Sequence, residues 1–254
     1  MTRCVGLRYV LFAPWLYERI AHHPERHRIS DAIEKQELEL TRRLRDAGQT
    51  GVIGTRSYPK PTAQPPSLTY WSALGTWRIL RPTATGSIPS RQAVHRALAR
   101  RPVRQQLQDD DRQLLIEDEL IFCSIPKPPF EWNDSTRRLD FRLESFEERF
   151  LRNCFLSVER PNTEGTPSLL ARLVEHRVEM TDRLELWSSK VRAAADQADR
   201  EALLRARQAA ALSAIGRGVY AALVEEIRDK HDGISTCDVQ RSNLATVVEK
   251  FAAD

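Results

Sequence analysis

At 254 residues the chain is long enough to bury a sizeable core, as one large domain or two small ones. Hydrophobic residues make up 41% and charged residues 29%, which excludes a disordered chain. Basic residues exceed acidic ones by only 39 to 35, a net charge of +4 that permits contact with nucleic acid without demanding it. Glycine is scarce, at 10 residues, and Ala, Leu, Arg and Glu dominate, so helix is the expected state. The cysteines, Cys4, Cys123, Cys154 and Cys237, form no C-x-x-C pair, which removes local support for zinc or a redox dithiol and fits a reducing cytoplasm.

The first predicted helix covers residues 5–21, bent or restarted at Pro14. Its apolar run from Tyr9 to Leu16 is too short for a membrane span and lacks a signal-cleavage site. After the polar break at 22–27, Asp31 with Glu34 resembles a capping box, and Gly48 supplies a stop. Between them Ile33, Leu40, Leu44 and Ala47 line one face. Gly51 to Gly54 reads as a tight apolar corner, and the prolines at 59, 61, 65 and 66 as a stiff extended linker.

A helix is expected from Tyr70 to Leu80, with Tyr70, Leu74 and Trp77 facing the core together. The aromatic residues of these two helices suit core packing better than a base-stacking platform, because helical aromatics bury large areas. A charged helix follows from Arg91 to Gln108, interrupted at Pro102. The cluster Pro126, Pro128 and Pro129 is the expected seam, dividing the chain into a helical unit at 1–125 and a second at 130–254.

Past the seam, at most a small β-hairpin is expected near Phe130–Leu143, then a helix opened by a Ser145/Glu148 capping box. Leu170, Val174, Val178, Thr181, Leu184, Trp187 and Val191 keep a near-heptad stripe. Leu212, Ile215, Val219, Ala222 and Leu223 form a second stripe. The two stripes predict an antiparallel hairpin or one bent helix, followed by a short helix over Leu244–Phe251. No βαβ alternation, repeat or Gly-rich nucleotide loop occurs, so the fold class is mostly α.

His95, Arg96, Arg100, Arg101 and Arg104 form the densest basic cluster, with Arg96, Arg100 and Arg104 at helical spacing. These arginines are the candidate contact to DNA phosphates. Val174, Val178, Leu184 and Trp187 are the candidate partner-binding face. His22, His23 and His27 sit in a loop and would need a carboxylate partner and a rigid frame to hold a metal, and the acids at 109–111 and 117–119 lack the E-x-K of restriction-type nucleases. No G-x-S-x-G occurs, so no catalytic residue, metal or cofactor is expected.

Three blocks carry a resemblance. They are Arg8-Tyr-x-Leu-Phe-x-Pro-Trp-x-Tyr17, the Gly51-Val-Ile-Gly54 corner, and Ser67-x-x-Tyr-Trp-x-x-Leu74. The chain resembles a bacterial family of domain-of-unknown-function proteins found in mobile-element and phage-defence gene clusters. Phe150-Leu151, Ser168-Leu-Leu-Ala171 and Gly218-Val-Tyr220 match it more weakly. The first block begins almost at Met1, so a shortened copy of that family is expected. The resemblance implies a cytoplasmic protein beside DNA-handling enzymes. The expected function is a non-catalytic accessory or adaptor binding partner proteins, with DNA phosphates as a second contact. The alternative is a metal-dependent nuclease whose carboxylates gather from distant segments.

Overall fold

Tyr9, Phe12, Trp15 and Tyr17 spread around roughly half the circumference of one helix, so no single surface can cover them all. The chain answers this by wrapping that helix. In the computed structural model, which describes residues 6–21, 28–100, 121–179, 186–233 and 238–252, α1 spans Tyr9–Ala21 and eleven of its thirteen residues are buried. Ten α-helices and no strand occur among the described residues, where only the isolated bridges Leu80–Phe122 and Glu159–Pro167 have β pairing. The mostly α class is therefore observed. No described helix is long and apolar enough to cross a membrane.

The chain divides into two units, Met1–Val174 and Glu175–Asp254. In the first, α2 (Ile29–Asp46) and α3 (Pro66–Thr76) pack directly on α1, and α4 (Arg91–Arg100) packs on α2. Trp132 of the single-turn α5 (Phe130–Asn133) stacks on Phe12 at 5.5 Å, and Phe141 lies 5.1 Å from Tyr9. Leu139 and Leu151 of α6 (Ser145–Leu156) join the same core. The division thus falls about 45 residues beyond the proline cluster expected to mark it, because the segment after those prolines supplies core side chains to the first unit. A helical turn, rather than a strand, opens the region 130–143.

Buried polar groups lock these elements together. Arg8, on the approach to α1, donates to Glu147 on α6 at 2.9 Å and to Asp140 at 2.9 Å. Arg8 is 5% exposed and the Glu147 carboxylate 0%. Glu147 also accepts from the backbone N–H of Glu144 at 2.9 Å, which moves the capping interaction one residue ahead of the expected Ser145/Glu148 pair. Arg43 on α2 donates to the carbonyls of Trp132, Asp134, Arg137 and Glu131, holding α5 by its backbone. At Gly54 the φ of +88° favours glycine, and a Cβ there would meet the Thr41 hydroxyl at 3.3 Å.

Helix limits depart from expectation at three places. α2 begins at Ile29, ahead of Asp31, and stops at Gly48 as expected, with the Gln49 N–H closing on Leu44 O. α3 starts at Pro66, whose fixed φ suits the first helical position, and ends at Thr76. The long stripe from Ser168 to Val191 is not one helix. α7 (Leu169–Glu175) ends before Arg177, whose φ of 50° is left-handed, and α8 resumes only at Ser189–Ala194.

The second unit is built on α9 (Gln197–Asp232), opened by Asp196, whose side chain accepts from Asp199 N–H at 2.9 Å. Gly233 at φ 63° closes it, and α10 (Val239–Ala252) packs back on it. A Cβ at Gly218 would lie 3.1 Å from Leu244, so glycine permits this close approach. Buried Glu225 on α9 accepts from the N–H groups of Gln240 and Arg241, capping α10 from its neighbour. The hairpin is thus α9 with α10, and the final helix expected over 244–251 is its second arm.

Replacing Glu147 with Ala strands the Arg8 guanidinium and should cost about 3–5 kcal/mol in chemical denaturation. A loss under about 1 kcal/mol would mean that Asp140 alone compensates Arg8.

Candidate functional site

Arg96 and Arg100 lie one turn apart on the exposed side of α4, opposite the buried Val94 and Leu98. Arg101 and Arg104 fall outside the described residues, as do Leu184, His22, His23, His27 and the acids at 109–111 and 117–119. Val174 ends the first unit on α7, while Val178 and Trp187 are half-buried in the second, Trp187 just ahead of α8. The helix that would align these residues with Leu184 as one face is interrupted.

Beside the first turn of α4 the first unit forms a half-open cavity of about 630 Å³. α2 forms one wall, the first turn of α4 another, and the chain from Lys60 to the start of α3 the third. His95 lines it, half-buried, with Nε2 2.7 Å from the Tyr17 hydroxyl and Nδ1 3.2 Å from Ser30 Oγ. Its neighbour group is centred on Ser67, which is fully buried. The Ser67 N–H donates to Glu37 Oε1 at 2.9 Å, and Arg91 donates to Ser67 Oγ at 3.2 Å. Ser67 is therefore a polar pivot between an acid on α2 and a base on α4.

The electrostatics follow from burial. Desolvation, then the nearby Arg91 charge, pushes His95 down to about 4. Desolvation raises Glu37 above the usual carboxylate range, opposed by its hydrogen bonds from Ser67 and by Arg91. Tyr17 is likewise raised, chiefly by burial. A neutral imidazole has one donor and one acceptor nitrogen, so His95 can satisfy both hydroxyls at once. Near neutral pH the ring is uncharged and its single N–H serves one of these two contacts. Elsewhere in the unit, burial and the adjacent Cys123 push the Cys154 thiol up to about 11, which keeps it protonated. Among the described residues no three His, Cys, Asp or Glu side chains gather to hold a metal ion.

Glu37, Ser67 and Arg91 escaped the sequence reading, although one signal was present. Glu37 falls at the same helical spacing as Ile33, Leu40 and Leu44, so an acid occupies a core-facing position.

The second unit carries a different surface. The face of α9 turned from α10 exposes Leu212 (72%), Tyr220 (71%) and Ile227 (68%), with Val219 and Leu223 between them. Of the 212–223 stripe, expected in an antiparallel hairpin or one bent helix, only Ala222 is buried, with Ile215 half-buried. α10 covers the Gly218 side instead. No family model, curated protein or solved structure matches the chain.

Observed by the imidazole Cε1–H shift in NMR, His95 should titrate at about 4. The unfolded chain takes its proton near 6.5, so this residue makes stability fall as pH drops from about 6.5 to about 4. His95→Gln should flatten that slope, and a titration near 6.5 would put the ring in solvent.

Proposed function

We propose that this protein is a non-catalytic adaptor that docks an amphipathic helix of a partner protein on α9. The observation that carries this reading is the apolar stripe Leu212, Val219, Tyr220, Leu223 and Ile227, exposed along successive turns of one helix. Charge selects the partner. From Ala202 to Val224, α9 carries Arg205, Arg207 and Arg217 and no carboxylate. A partner helix with an apolar stripe and acidic flanks complements this arginine stretch, which ends where Glu226 and Asp229 flank Ile227. This face replaces the one expected from Val174, Val178, Leu184 and Trp187.

The exposed Arg96 and Arg100 support a second, salt-sensitive contact to DNA phosphates. The resemblance to proteins of mobile-element and phage-defence clusters supports a bacterial DNA-defence setting and a cytoplasmic location. A metal-dependent nuclease is the alternative reading, and the acids at 109–111 and 117–119 that suggested it lie outside the described residues.

A photo-crosslinker at position 220 tests the docking directly, with crosslinked peptides identified by mass spectrometry. An acid-flanked amphipathic segment of another protein is the expected product, absent from the variant Leu212→Ser/Leu223→Ser/Ile227→Ser. Because these side chains are exposed, that variant should keep its melting temperature within a few degrees. A crosslink to the same segment of a second copy, or none in the native host, overturns the adaptor reading.

For the DNA interaction, Arg96→Ala with Arg100→Ala should reduce the slope of log affinity against log salt by about 1 for each phosphate left without its arginine. An unchanged slope removes α4 from the interface.

A further inference from the structure

The cavity beside Ser67 has no part in helix docking, yet it has the features of a ligand site. Its volume, about 630 Å³, lies within the range of small-molecule pockets. The lining divides by chemistry. Glu34 and Glu37 stand one turn apart on α2, so their carboxylates share a wall. Arg91 on α4 and Lys60 on the preceding chain supply the cations. Ile33 and the half-exposed Leu68 supply apolar surface.

Opposite charges this close would ordinarily neutralise one another as a salt bridge. Here Ser67 stands between Glu37 and Arg91, its N–H on the acid at 2.9 Å and its Oγ receiving the guanidinium at 3.2 Å. The serine is 0% exposed and Glu37 only 6%, so the packed interior fixes both. The result is a separated plus and minus on the walls of one cavity. Burying the Glu37 carboxylate is costly, and a cationic group brought by a ligand offsets that cost. A ligand carrying one charge would satisfy only one wall. A polyanion such as a nucleoside triphosphate would meet two carboxylates.

We propose that this cavity binds a small zwitterion, a free amino acid or short peptide with an apolar side chain. Its ammonium lies on Glu34 and Glu37, its carboxylate on Arg91 and Lys60, and its side chain against Ile33 and Leu68. The charge-assisted hydrogen bonds orient the ligand, while His95, whose two ring nitrogens already meet Tyr17 and Ser30, lines the cavity by packing alone.

Isothermal titration calorimetry of the full chain with leucyl-leucine, its N-acetyl form, its C-terminal amide and AMP tests this. Leucyl-leucine should bind, and blocking either terminus should weaken binding at least tenfold. Glu34→Gln and Lys60→Ala should each do the same. Both side chains are exposed, so circular dichroism melts of these variants should match the parent. Equal binding of the blocked forms, binding of AMP alone, or no heat with leucyl-leucine or leucine at millimolar concentration would overturn the proposal. None of these outcomes depends on the α9 face, so this inference and the adaptor reading fail separately.

Discussion

The burial of α1 on all sides is the constraint from which the first unit follows. A 13-residue helix that places aromatic rings around much of its circumference needs partners on every flank. α3 brings Trp71 to within 5.4 Å of Tyr17 and Tyr70 to within 5.8 Å of Tyr9. Phe122 closes on Tyr17 from a third direction at 6.0 Å. Trp132 and Phe141 cover Phe12, and they come from beyond the proline cluster. One helix thereby recruits segments more than a hundred residues apart. Tilted and edge contacts of this kind add about 0.5–1.5 kcal/mol per pair beyond area burial.

Such a core gathers polar groups that must be satisfied within it, and these decide where the cavity lies. Trp15 donates to Pro126 O at 2.7 Å and Trp71 to Pro89 O at 2.9 Å, so each indole fixes a loop as well as filling space. Tyr9 accepts from Ile53 N–H at 3.0 Å and anchors the Gly51–Gly54 corner, which in turn receives Thr41 on Ile53 O. Tyr17 lies at the far end of α1, where its hydroxyl reaches His95 rather than a backbone group. The aromatic helix that organises the core thus braces one lining residue of the cavity, His95, from behind through Tyr17. Moving Tyr17 would disturb His95, Ser67 and Arg91 together.

How much of this was legible depended on whether the signal was local. Gly48 at a helix stop and the spacing of Ile33, Leu40 and Leu44 are local features, and α2 obeys them, whereas Pro66, read with its neighbouring prolines as linker, opens α3. Of the residues expected to face the core together, Leu74 is fully buried while Tyr70 and Trp77 are half-buried against it, and Trp71, off that spacing, is the tryptophan that goes inside at 8% exposed. The Ser168–Val191 stripe misled because periodicity describes which residues would share a face if a helix formed. It does not register that Arg177 leaves the right-handed region. The proline cluster misled for another reason. Prolines end elements, but whether they end a unit depends on where Trp132, Leu139 and Leu151 find partners, which is a long-range matter. The cavity was hidden because Glu37, Ser67 and Arg91 are ordinary residues until the fold brings them to one point.

The second unit poses the opposite problem to the first. α9 is about 54 Å long at 1.5 Å per residue, while the 14-residue α10 that packs on it is about 21 Å long. Much of α9 must then support itself. Its first half does so by propensity, being rich in Ala, Leu, Arg and Gln and opened by the Asp196 cap. The second half is held by Glu225 at the head of α10 and by the close approach at Gly218. Neither device requires Leu212, Tyr220 or Ile227, whose side chains remain in water. Alanine or glutamine at those three positions would serve the helix as well and the solubility better. Their apolar character is thus spare to this unit's own helix pairing, and that spare surface is what the proposed partner helix would cover.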